Sequence, residues 1–145
     1  MIEISRKLYY ATEAVLYIAY NSANERISSK AIATTHQLPP RYLEQIMQKL
    51  VKAKILKGMR GPNGGYLLAR EKRRISVNDI AQALEEEENF TPSTLLGKKI
   101  LLPFITLLQD NVREKMQNTT IADLYEKAVS HRIPKADNQH TDFTI

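Results

Sequence analysis

Five consecutive residues, Gly61-Pro-Asn-Gly-Gly65, narrow the choice of fold more than any other feature of the chain. Glycine tolerates positive φ, so such a string can reverse the chain within a few residues. It joins two short strand candidates, Lys54-Ile-Leu-Lys-Gly-Met-Arg60 and Gly65-Tyr-Leu-Leu-Ala-Arg70, and the spacing predicts a β-hairpin. The segment before it is helical. Leu43, Ile46, Leu50 and Ala53 recur at steps of three, four and three, and Pro40 suits a first helical turn, where its missing N–H would be unpaired anyway. Upstream of the Pro39-Pro40 break, Ser28 stands at an N-cap position before a short helix through Thr35. Two short helices across a tight break, then a hairpin, give the order of a winged helix-turn-helix.

The remaining elements fit one mainly α-helical domain of 145 residues. Ile4, Leu8, Ala11, Val15 and Ile18 mark a first helix, and Asn21 to Arg26 a polar turn. Ser76-Val-Asn-Asp79 reads as a capping box opening a fourth helix, which ends at the carboxylate run Glu85 to Glu88. Consecutive helical residues diverge by about 100°, so that run reads as a solvated linker and not as a metal site. Thr91-Pro-Ser-Thr94 reads as a break and cap. Beyond it Leu101, Phe104, Ile105, Leu108 and Val112 fall on a long amphipathic helix, widened by Leu102 and Leu107, with Pro103 confined to its first turn or a kink. So much apolar circumference needs a second surface, and a homodimer helix is expected. Asn118-Thr-Thr120 caps a last short helix. The expected division is residues 1–84 as the DNA-binding part, 85–132 as linker and dimerisation helices of the same domain, and 133–145 as a disordered tail.

Charge is unevenly spread. Residues 41–74 hold ten Lys and Arg against Glu44 and Glu71, a local +8, whereas 1–40 carry +1 and 75–145 carry −4. A polyanion suits such a segment, because each phosphate neutralised releases a condensed counterion. Double-stranded DNA is therefore the expected partner. The candidate contacts are Ser28, Lys30, Arg41, Tyr42, Glu44, Gln45, Gln48 and Lys49 on the helices, with Arg60, Gly61, Pro62, Asn63 and Gly64 on the wing. Tyr66 is expected to pack on the third helix and not to touch DNA.

Several function classes drop out. The chain has no cysteine, which removes disulfides, cysteine-ligated zinc, cysteine-held clusters and thiol catalysis. His36, His131 and His140 are too scattered for a ligand set, and His36 reads as an ordinary end-of-helix residue. No phosphate-loop or nucleophile-elbow string occurs, so no enzyme, cofactor or metal is expected. No stretch of about 18 apolar residues and no signal segment is present, so a cytoplasmic protein without membrane contact is expected.

At Tyr42-Leu-Glu-Gln45 and Met59-Arg-Gly-Pro-Asn-Gly-Gly-Tyr-Leu-Leu-Ala-Arg70 the chain resembles the IscR-like transcription regulators, the bacterial Rrf-two family, from Ser5 to about Ala128. The resemblance implies a dimeric winged-helix repressor or activator whose long C-terminal helix forms the dimer and whose wings reach the minor groove. It implies that Arg41, Tyr42 and Glu44 approach bases and backbone, and that Arg60 reads the minor groove. Glutamate can accept from cytosine N4, and arginine is drawn to a narrow minor groove. Cluster-binding members carry three cysteines between the fourth helix and the dimer helix; the interval Leu84 to Leu101 here has none, so cluster sensing of that type is excluded. A small-molecule or protein effector between the two parts remains open, with no residue named for it. The competing expectation is a winged-helix protein-interaction module whose partner docks on the dimer helices or the acidic linker.

Overall fold

The computed structural model describes residues 5–23, 25–61, 64–86 and 89–136. Pro62 and Asn63 of the wing, Glu87 and Glu88 of the acidic run, Ile4, and 137–145 of the expected tail lie outside the described residues.

Helix α1 runs Arg6–Asn21 and is opened by Ser5, whose hydroxyl accepts from the Leu8 N–H at 3.2 Å. Helix α2, Ser29–His36, is opened by Ser28 accepting from the Ala31 N–H at 3.1 Å. It stops at Gln37, whose φ of 53° is left-handed and lets the Leu38 N–H reach the Ala33 carbonyl. Helix α3, Pro40–Lys52, starts on its proline and buries Leu43, Ile46, Met47 and Leu50.

Strands β1, Leu56–Met59, and β2, Gly65–Leu68, pair antiparallel with Leu56 opposite Leu68 and Met59 opposite Gly65. Both are shorter than the expected strands, for a local reason at the first. Lys54 takes φ of 60°, and the N–H groups of Lys54 and Ile55 return to the carbonyls of Val51 and Leu50, so these two residues finish α3 instead of starting β1. Ile27 adds a third rung that the sequence did not announce, exchanging both backbone hydrogen bonds with Tyr66.

Helix α4, Val77–Leu84, and helix α6, Ile121–Ser130, each begin in a capping box, Ser76 with Asp79 and Thr120 with Asp123. The two caps lie side by side. Val77 N–H donates to Thr119 O and Ile121 N–H to Ile75 O, which returns α6 to the winged helix. Between them a π-helical turn, Gly97–Leu101, runs straight into helix α5, Leu102–Gln117. Pro103 explains the wide turn, since it has no N–H for an ordinary rung and its ring crowds the carbonyl four residues back. The Leu102 N–H bonds to Gly97 O, five residues back.

One core joins these elements, with Val15, Ile18, Ile32, Leu43, Ile46, Met47, Leu50, Ile55, Ile75, Ile80 and Ile121 fully buried. The C-terminal half of α5 enters it through Met116 and Val112. The first residues of the expected tail are fixed. Tyr20 OH donates to Ile133 O, and the Ala136 N–H donates to Asn21 Oδ1 at 2.7 Å. Ile133 and Ala136 are thus held against α1, whose buried polar groups find their partners there.

Candidate nucleic-acid interface

Helix α3 has three faces. At 100° per residue, Leu43, Ile46, Met47 and Leu50 point inward, while Arg41, Glu44, Gln45, Gln48 and Lys52 gather on the opposite side, and all five are exposed. Every member of that outer row carries a donor or acceptor, the equipment for reading base edges or phosphates. Tyr42 and Lys49 fall on the flank toward α1. The Tyr42 ring meets Tyr10 edge-on, 6.1 Å between centroids, and Lys49 Nζ lies 3.3 Å from Glu86 Oε1. Two of the sequence candidates on this helix are thus turned away from the outer row.

The wing stands beside that row. Gly61 has φ of 107°, and the Gly64 N–H closes the turn onto Gly61 O at 2.8 Å. Gly65 is dictated by close approach, for a Cβ there would stand 2.6 Å from Ile27 O. Arg60 and Gly61 are exposed where the wing leaves the sheet. A cleft between α3 and the wing is lined by Ser28, Lys30, Gln48, Lys52, Met59, Arg60, Gly61 and Gly64, among others, with no carboxylate among the described residues of its lining. Ser28 caps α2 at the cleft's edge, and Lys30 is exposed on that helix's first turn. Tyr66 is half-buried, wedged beside Gly58; burial, with Glu44 adding, pushes its hydroxyl pKa up. It lines a second hollow with Glu44 and Leu43, which agrees with packing on α3.

The +8 stretch is distributed differently from its sum. Arg70 is an internal clamp: its guanidinium donates to the carbonyls of Lys54, Ala53 and Arg74 and to Asp79 Oδ2, tying the exits of α3 and β2 to the start of α4. Arg73 pairs with Glu71 at 2.6 Å, and Lys72 lies over the Tyr125 ring at 4.5 Å. Lys49 shares Glu86 with Lys7, and the Lys49 ammonium chiefly holds the Glu86 carboxyl below its usual range. Of the six left, Arg41, Lys52 and Arg60 stand on the open face, joined there by Lys30, while Lys54, Lys57 and Arg74 are exposed outside the cleft's lining. Sequence reasoning left Lys52 out of its candidate set, although its helical position was visible, and missed the clamp made by Arg70.

The other candidate surface is apolar. Leu101, Phe104 and Leu108 are exposed, as are Leu95, Leu96, Ile100, Leu102 and Leu107. Ile105 is partly covered, and Val112 packs on its own chain's core. Val112 is thus turned inward from the surface assigned to it. His36 ends α2, packed edge-on against Tyr17 with Nδ1 facing Glu13 Oε1.

Residues 4–127 match the family model Rrf2, described as an iron-dependent transcriptional regulator. The chain belongs to this family. Among Rrf2 relatives, the HTH-type transcriptional regulator CymR of Bacillus subtilis is 32% identical over 128 residues, covering 85% of this chain and 89% of its own. The solved structure of T. potens IscR superposes with a TM-score of 0.75 at 30% identity, covering 94% of this chain and 96% of that one. The structure of CymR, the global cysteine regulator of B. subtilis, superposes with a TM-score of 0.69 at 32% identity, covering 88% of this chain and 98% of that one. The chain is a DNA-binding transcriptional regulator with the winged-helix fold of these neighbours, and it is not an enzyme.

The family's description names iron, which would need donors from this chain. It has no cysteine, and among the described residues no three His, Asp or Glu side chains converge as metal ligands. The residues present do not fit a cysteine-ligated cluster. Among the described residues no helix is long and apolar enough to cross a membrane.

Proposed function

We propose that this protein reads duplex DNA sequence-specifically as a homodimer and does so without a cysteine-ligated iron–sulfur cluster. The observation that carries the reading is the cleft, with no carboxylate among its described lining residues, that joins Gln48 and Lys52 of the outer row of α3 to Arg60 and the wing turn. In this reading Glu44, Gln45 and Gln48 face base edges, Arg41, Lys52 and Lys30 meet phosphates, and Arg60 enters the minor groove. Ser28, Gly61 and Gly64 bring backbone close to the sugar-phosphate surface, and Tyr42 and Lys49 support from the flank. A second copy covers the exposed stripe of α5, with Leu101, Phe104, Ile105 and Leu108 at its centre, and doubles the cationic face. The absence of cysteine and the three scattered histidines support a signal other than a cluster of the family type.

The test is fluorescence anisotropy with a duplex recovered from genomic fragments and a scrambled duplex, across a salt series. The expected result is a specific affinity falling linearly on logarithmic axes, with a slope of roughly −0.9 per phosphate neutralised. Equal affinity for both duplexes, or a flat response to salt, overturns the reading.

A further inference from the structure

On the far side of the wing another cavity, of about 430 Å³, lies between the end of α1, strand β2, helix α6 and the chain at 133–136. Its walls carry three lysines, Lys57, Lys72 and Lys135, and two tyrosines, Tyr20 and Tyr125, and no Asp or Glu is among the described residues of its lining. The tyrosine rings stand 5.2 Å apart at 62°. Lys72 Nζ sits 4.5 Å above the Tyr125 centroid. Lys135 Nζ lies 5.1 Å from the Tyr20 centroid and donates to Tyr125 OH at 2.9 Å. For Lys72 the Tyr125 face holds the ammonium in place without neutralising its charge. Glu71, the acid next to Lys72 in the chain, is engaged by Arg73.

We propose that this cavity binds a small organic anion, its carboxylate or phosphate head on Lys57 and Lys72 and its compact body against Tyr20 and Leu68. The volume falls in the range of small-molecule sites and is too small to admit a duplex. Two lysines, Lys57 and Lys72, set beside aromatic walls recognise an anion with an apolar body better than a bare ion. The site is built rather than accidental in one further respect. Asn21 is buried, donates to Tyr17 O at 3.0 Å, and uses its remaining oxygen to hold the Ala136 N–H, so the segment carrying Lys135 is fastened across the cavity. Lys57 belongs to β1, the strand that leads to Arg60, which sets this cavity directly behind the wing.

The experiment titrates the full chain, without DNA, by calorimetry at constant chloride with phenyl phosphate, benzoate and benzyl alcohol. Saturable binding of one or both anions at one per chain, with benzyl alcohol at least tenfold weaker, is the expected result; which anion binds more tightly identifies the head group. Lys57→Gln/Lys72→Gln should weaken the anion at least tenfold. Lys57→Gln alone, which leaves the Lys72 and Lys135 ring contacts in place, should weaken it at least threefold in a chain of unchanged circular dichroism, and Lys115→Gln on α5 should leave it unchanged. No saturable binding, equal binding of benzyl alcohol, or full binding by the Lys57→Gln chain overturns the proposal. Because no duplex is present, either outcome is independent of the DNA-reading assignment.

Discussion

Helices α3 and α5 each present an exposed face, and the two faces are chemical opposites. The outer row of α3 is Arg41, Glu44, Gln45, Gln48 and Lys52, groups that lose nothing by standing in water and gain from a partner only when it offers matched donors, acceptors or charge. The outer stripe of α5 and its wide first turn is Ile100, Leu101, Phe104, Leu107 and Leu108, each between 45% and 62% exposed. A contiguous apolar patch of this kind marks an interaction surface, since every such side chain favours removal from water. Exposure on α3 therefore points to a polar, charged partner, and exposure on α5 to another apolar helix.

The largest effect that would break this contrast is on α5. Phe104→Asp/Leu108→Asp should weaken self-association at least 100-fold by analytical ultracentrifugation, given roughly 1.5–3 kcal/mol for each large apolar side chain buried. An intact dimer in that variant would remove the distinction between the two faces. Next comes the wing: Arg60→Ala should lower DNA affinity about tenfold, chiefly on sites with A·T-rich flanks. Glu44→Ala should cost less affinity but relax preference at one base pair by roughly 1–3 kcal/mol, read by competition with single-base variants of the site.

The contrast can also be sharpened within α3 itself. Lys52→Ala should reduce the salt slope by about one contact, whereas Lys49→Ala, whose ammonium is held by Glu86 on the flank, should change affinity by less than about twofold.

The caps were legible in the sequence because they are local. Ser28, Ser76 and Thr120 each sit three residues from the N–H they accept, and the chain's first-turn proline at Pro40 needed no tertiary knowledge. The wing was legible for the same reason. Long-range effects were not. Lys49 and Glu86 are 37 residues apart, and Arg70 reaches back 16 residues to Lys54 O, so a sum of charges counted both as surface when one is paired and the other is a clamp. Ile27 pairs with Tyr66 across the whole helix-turn-helix, which no period in the sequence encodes. On α5 the apolar pattern was clear, but only packing separates Val112, drawn into the core, from Leu108 one turn earlier.

The smallest expected effect concerns the joint that carries α6. The Thr120 backbone N–H, with its hydroxyl adding, holds the Asp123 carboxyl below its usual range. A depressed carboxyl stabilises the fold above the unfolded value, about 3.9, and that stabilisation is lost as pH falls through the lower folded value. Amide-exchange protection in the first turn of α6 should hold from neutral pH down to about 5 and fall below about 4, and Asp123→Asn should abolish that acid step.

The account rests on paired subunits presenting two copies of one reading face to a single duplex. Selection of binding sites from a random duplex pool, compared between the native chain and Glu44→Ala, tests this most directly. The account predicts a two-fold symmetric consensus whose half-sites are spaced by about one helical turn or a multiple of it, with the variant relaxed at one symmetric pair of positions and unchanged elsewhere. An asymmetric or absent consensus, or one that Glu44→Ala leaves intact, would contradict it.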